Sequence, residues 1–219
     1  MKMVGASHPS IQGNPMATEF VRDQATDHLL TARNAALVVI DYQPSQVQTV
    51  TSMDRELLVD NIVSVARLAR TFDLPVVLST VNVANGQKPT IPELKAVLSD
   101  SAEIDRTEIN SWENADFRRA VEATRRKKLI MTALWTEVCL AFPSLDAVRE
   151  GYEVYPVVDA VGGTSPEAHR AGLERMLQAG AQPISWVSLA CELQRDWARE
   201  ETVADVVDIV LTTRLLATV

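Results

Sequence analysis

The chain has 219 residues, of which 47% are apolar and 23% charged, a size and balance that suit one globular domain. Its net charge of −8 disfavours a nucleic-acid partner, because the one basic cluster, Arg125–Arg126–Lys127–Lys128, is too short to reverse that balance. No segment approaches the roughly 20 apolar residues of a membrane span. Met1–Lys2–Met3 leads into a polar stretch rather than a secretory-type apolar core, so the cytoplasm is the expected location. In that reducing compartment the two cysteines, Cys139 and Cys191, are expected as free thiols.

Residues 1–30 lack sustained periodicity and read as a flexible N-terminal extension, leaving 31–219 as the folded domain. Residues 35–40 form a continuous apolar, β-branched run suited to a strand buried on both faces. Similar runs occupy 75–81, 129–134, 152–158 and 183–187. Between them, apolar residues at i, i+3, i+4 spacing predict helices over about 54–72, 114–126, 138–150, 166–179 and 189–200. The segment 100–112 is expected to add a short strand or a loop. This alternation predicts an α/β architecture: a mostly parallel sheet with right-handed crossovers and helices on both faces. Ligands gather at the carboxyl ends of strands in such sheets. That directs attention to Asp41, to Thr80–Asn82, to the stretch from Leu134 to Cys139, and to Asp159.

Asp41 follows the apolar run Val38–Val39–Ile40, where a carboxylate would emerge at the sheet edge. Taken alone it would serve equally well as a turn or cap residue. Cys139 follows the 129–134 strand through a four-residue link and falls at the start of the next predicted helix. A helix N-terminus favours a thiolate through its free N–H groups and dipole, which predicts a nucleophilic cysteine at neutral pH. A small buried apolar residue is the other reading of that position.

Several longer motifs carry a resemblance. Residues 38–43 (VVIDYQ), 109–117 (INSWENADF), 136–143 (TEVCLAFP), 151–154, 157–160 and 190–197 (ACELQRDW), in this order, resemble the isochorismatase-like cysteine hydrolases and, within them, the YcaC-like branch. The resemblance spans about 34–199. It implies a three-layer sandwich with a six-stranded, mostly parallel sheet, and a catalytic triad of an aspartate, a basic residue and a cysteine. On this sequence these are Asp41, Arg106 and Cys139. Most of the family has lysine at the basic position, whereas the YcaC-like branch has arginine. An arginine stays protonated, so its expected work is to hold Asp41 and to favour the thiolate by its charge.

The resemblance further implies an oxyanion site of backbone N–H groups at Trp135 and Cys139, shaped by a cis peptide at Leu134–Trp135. Gln43, Asn110, Trp112 and Trp135 are the expected substrate-binding residues, with packing as the alternative for the two tryptophans. The implied reaction is hydrolysis of a small amide or related carbonyl compound through a thioacyl intermediate on Cys139. A competing reading keeps the fold but not the catalysis, as an oligomeric ligand-binding or scaffold protein.

No metal is expected. The nicotinamidase branch carries an aspartate and two histidines after its second strand, whereas residues 79–85 here read STVNVAN, and His8, His28 and His169 lie elsewhere. No cofactor is expected either, since Gly86 and Gly162–Gly163 form no phosphate-cradling motif. Cys191 fits a core or interface position. The apolar tail from Thr202 to Val219, with Val203, Val206, Val207, Ile209, Val210, Leu211, Leu215 and Leu216, predicts a homo-oligomer larger than a dimer with this segment at a subunit contact.

Overall fold

The computed structural model describes residues 18–212. Five parallel strands form one sheet: β1 (Ala35–Ile40), β2 (Val76–Val81), β3 (Glu103–Arg106), β4 (Lys128–Ala133) and β5 (Glu153–Pro156), in the order β3-β2-β1-β4-β5. The sixth strand expected over 183–187 reaches the outer edge of β5 but shrinks to a single parallel bridge, Val157 to Ile184. Hydrogen bonds from Gln182 N to Val154 O and from Ile184 N to Pro156 O continue the ladder there. Pairing stops because Trp186 already begins a helix.

The β1 run AALVVI is buried at every residue, and its side chains alternate between two cores as strand geometry requires. Ala35, Leu37 and Val39 join one apolar cluster, and Ala36, Val38 and Ile40 join the other. The first cluster lies under α2 (Arg55–Thr71), α7 (Trp186–Gln194) and α8 (Glu200–Thr212). The second lies under α4 (Ala115–Ala123), α5 (Ala141–Arg149) and α6 (Pro166–Ala179). Two short helices, α1 (Pro44–Thr49) and α3 (Pro92–Val97), follow β1 and β2, each started by a proline at its first turn, where the missing N–H is no loss. The result is the expected three-layer sandwich, helices over both faces of a parallel sheet.

The end of the segment before β1 is tied to the fold. Leu30 is fully buried in the first core, its N–H donates to Glu192, and its carbonyl accepts from Arg195. Asn34 ties back to the carbonyls of Asp27 and Leu29. Residues 1–17 lie outside the described residues. The helix expected over 189–200 instead ends at Gln194, because Arg195 takes a left-handed conformation (φ 62°) that breaks it before α8 begins.

The strand order places a topological switch between β1 and β4: the chain moves from β1 outward through β2 to β3, then returns to the other side of β1 as β4. In open parallel sheets the crevice at the carboxyl ends of two such strands is the preferred place for a ligand.

Candidate active site

Asp41 ends β1 at the crevice. Its backbone is left-handed (φ 61°), a conformation that aspartate tolerates better than most residues, and its N–H still donates to Ser79 of β2. Arg106 is the last residue of β3. Its Nη2 donates to Asp41 Oδ2 at 2.5 Å, and both side chains are 0% exposed. The guanidinium is held from behind by the carbonyls of Glu108 and Ile109, to which Nη1 donates. Cys139 lies close enough to the same carboxylate for each group to shift the other's proton affinity, while Asp41 Oδ1 has no hydrogen-bond partner among the described residues. Three residues from three strand ends, 65 and 98 positions from Asp41 at the extremes of the set, thus converge on one buried charge.

Cys139 sits in a wide π-type turn, Thr136–Leu140, that links β4 to α5, and it is 8% exposed. Local irregularity of this kind is frequent at functional sites. The peptide Leu134–Trp135 that leads into the turn is cis, as the sequence resemblance implied. The turn is braced from below: Thr136 N donates to Gly162 O, Thr136 Oγ1 bonds His169 Nδ1 at 2.9 Å, and Glu137 accepts from the N–H and hydroxyl of Thr164. Gly172 of α6 lets that helix press directly on the turn, since a Cβ there would stand 2.9 Å from Glu137 Cα and 3.0 Å from its nitrogen.

Electrostatics depart from the expectation of a ready thiolate. Burial pushes Asp41 up to about 6, against the pull of Arg106 and of the Cys139 thiol. Burial, and then the adjacent Asp41 charge, push Cys139 up to about 12, although Arg106 and the Trp135 N–H beside the sulfur draw it down. Desolvation and a neighbouring anion therefore outweigh the helix start. The resting arrangement is a protonated thiol against a carboxylate that Arg106 holds in place.

Of the other residues singled out from sequence, Trp135 alone adjoins the cysteine turn. Its indole N–H donates to Thr49 Oγ1 at 2.8 Å and its ring is half-buried. Gln43 is fully buried and fully used: its amide nitrogen donates to the carbonyls of Val81 and Lys88, and its oxygen accepts from Val81 N. It braces the loop after β2 and has no donor left to offer a substrate. Asn110 caps the turn at Trp112 and donates to Asp146 of α5. Trp112 is a packing residue, edge-on to Phe117 and Tyr152 with its indole N–H on Glu150. Asp159 accepts from Trp186 N at the start of α7. Asp105, which sequence reasoning passed over, accepts from the N–H groups of Val83 and Ala84 and fixes the loop beside Arg106. Its one legible signal is an acidic residue directly before Arg106. Among the described residues no cluster of His, Cys, Asp and Glu is placed to hold a metal.

A parallel α/β sandwich with a buried Cys–Asp–Arg set at its switch point defines the class to which this protein belongs. An isochorismatase-domain family model matches residues 35–188, and the chain belongs to that family. It is 38% identical over 172 residues to the probable hydrolase YcaC of Escherichia coli, covering 78% of this chain and 83% of that protein. The structure of YcaC from Pseudomonas aeruginosa, described with hexane-2,5-diol and covalent acrylamide, superposes with a TM-score of 0.82 at 35% identity, over 88% of this chain and 96% of that one. The E. coli YcaC structure, described as an octameric hydrolase of unknown specificity, gives a TM-score of 0.75 at 34% identity, over 87% and 98%. The chain is therefore an isochorismatase-family protein of the YcaC branch.

Proposed function

We propose that this protein is a cysteine hydrolase that cleaves a small amide or related carbonyl compound. The observation that carries the reading is the fully buried Arg106–Asp41 pair at 2.5 Å with Cys139 beside it, near enough for the Asp41 charge to act on the thiol. Asp41 accepts the thiol proton as Cys139 Sγ attacks the carbonyl carbon, and the carbonyl electron pair moves onto oxygen. The N–H groups of Trp135 and Cys139 receive that oxyanion. Collapse expels the amine, which takes the proton from Asp41 and leaves a thioester on Cys139. Water then attacks the thioester, giving its proton to Asp41, and the second collapse returns that proton to sulfur and releases the acid. Generating the thiolate only during attack accords with a thiol that burial and Asp41 hold protonated at rest. Arg106 moves no proton. It keeps Asp41 ionised in a site that would otherwise protonate it.

The acrylamide bound covalently in the P. aeruginosa relative supplies a direct test. Incubation with acrylamide near pH 7.5, followed by peptide mapping, should place an adduct on Cys139. Asp41→Asn should suppress that adduct while labelling of the exposed Cys191 continues. Labelling of Cys139 at an unchanged rate in Asp41→Asn would refute Asp41 as the proton acceptor. Location in the cytoplasm and assembly above a dimer form part of the same proposal. The octameric E. coli relative supports assembly, as do Val207 and Leu211 on the outer side of α8, 39% and 62% exposed. The tail does not act as one apolar surface, however: Val206 and Ile209 are buried in the first core. Leu215 and Leu216 lie outside the described residues.

A further inference from the structure

The opposite edge of the sheet carries a second concave site. A cavity of about 540 Å³ opens where the chain enters β1 and β4, lined by Arg33 and Asn34 before the one and by Arg125, Arg126 and Lys127 before the other, with Lys128 at its floor. These are the amino ends of the two strands whose carboxyl ends hold Asp41 and lead to Cys139, so the cavity is separate from the candidate active site.

Its charge is not spent internally. Among the described residues, Arg33, Arg125, Arg126 and Lys127 form no ion pair. Lys127 lies over the Tyr152 ring at 5.1 Å. The two acids in the lining are already engaged: Asp27 by Arg22, Arg195 and the Leu29 N–H, and Glu153 by Lys128 and Tyr155. Arg126 Nε is buried with no acceptor among the described residues, and a buried donor of a charged group without an acceptor is costly. Four unpaired cations gathered in one hollow of a chain with net charge −8 form a strong local reversal of potential. Guanidinium groups recognise oxyanions by paired, charge-assisted hydrogen bonds.

We propose that this cavity binds a small multiply charged oxyanion, a phosphate-bearing compound or a di- or tricarboxylate. The volume suits one such molecule. A nucleic-acid backbone is disfavoured, because the charge is confined to a hollow and the remainder of the chain is acidic.

Calorimetric titration of the full-length protein with pyrophosphate and with citrate, at constant ionic strength, tests this. Saturable binding of at least one of the two, one molecule per chain, is expected, and the tighter of the pair identifies the anion class. The double variant Arg33→Gln/Arg126→Gln should weaken binding roughly tenfold or more, as the loss of charge-assisted hydrogen bonds implies. Acrylamide labelling at Cys139 should stay unchanged, which shows the variant folded. Should that variant fail to fold, Arg125→Gln/Lys127→Gln, which alters two exposed side chains, serves in its place with the same expectation. Absence of saturable binding by either anion would overturn the proposal. So would affinity that survives the folded double variant, or affinity that disappears once Cys139 carries its adduct.

Discussion

Replacing Arg106 with methionine tests the electrostatic core of the site. The substitution keeps an unbranched side chain of lesser length but removes the guanidinium that pairs with Asp41 inside a fully buried environment. Asp41 stands at about 6 with Arg106 present, against an ordinary value of 3.8. Loss of the cation must raise it further, since Arg106 is the leading influence that lowers it. A carboxyl whose folded value exceeds its unfolded value binds its proton more tightly when folded. Stability is therefore greatest below the unfolded value and declines as pH rises through the folded one. At about two units, the wild-type shift corresponds to roughly 3 kcal/mol of penalty at pH 8, and each further unit in the variant adds about 1.4 kcal/mol. The bonds from Arg106 to Glu108 and Ile109 add a loss that does not depend on pH. Denaturant unfolding at pH 5 and pH 8 should show the variant destabilised at both, but more at pH 8 than at pH 5. The acid limb of Cys139 acrylamide labelling should move upward in pH. An equal loss of stability at the two pH values, with the limb unmoved, would refute the idea that Arg106 governs Asp41 ionisation.

In the wild-type protein, labelling and hydrolysis should fall below pH 6 as Asp41 takes a proton, a limb read from rate against pH. Asp41→Asn should fold, because asparagine also accepts the left-handed backbone at this position, while the hydrolytic rate drops by roughly 10²–10⁴-fold with the loss of the proton acceptor. Gly172→Ala forces a methyl into the backbone of Thr136 and Glu137. It should cost about 1–3 kcal/mol in thermal or chemical unfolding and reduce turnover more than binding, because the cysteine turn itself is displaced. Trp112→Phe removes the bond to Glu150 and part of an aromatic cluster. A stability loss of about 1–3 kcal/mol with unchanged labelling of Cys139 is expected, whereas slowed labelling would return Trp112 to the substrate pocket.

What the sequence made legible was whatever depends on local pattern. The β1 run is continuous and apolar because both its faces are covered, and its bounds fall at Ala35–Ile40 in the structure as expected. Helix α6 likewise matches, opened by Ser165 and Pro166 and closed by Gly180. Arg106 was found through a family likeness rather than through physics, because nothing near Asp105–Arg106 announces an ion pair to a residue 65 positions away. Gln43, Asn110 and Trp112 show the converse. They lie inside the motifs that carry the likeness, yet the structure spends their polar groups on backbone and helix contacts. A motif records that a residue matters to the site, not whether it touches a ligand or holds the walls. The elevated Cys139 thiol was beyond sequence reasoning for a related reason. A helix start is visible in a pattern, but the desolvation and the facing carboxylate that override it exist only after folding.

The position of Arg106 in the sheet has a consequence for how the protein would fail. β3 has only four residues and is an edge strand of the sheet, paired with β2 alone. Edge segments open more readily than the interior they border. A fluctuation that peels β3 away would carry off the cation and leave Asp41 and Cys139 standing in an otherwise intact frame, two acids that can no longer divide their protons. Chemical competence should then disappear under mild heat or denaturant before the bulk fold does, so that activity reports on the margin of the sheet rather than on its centre.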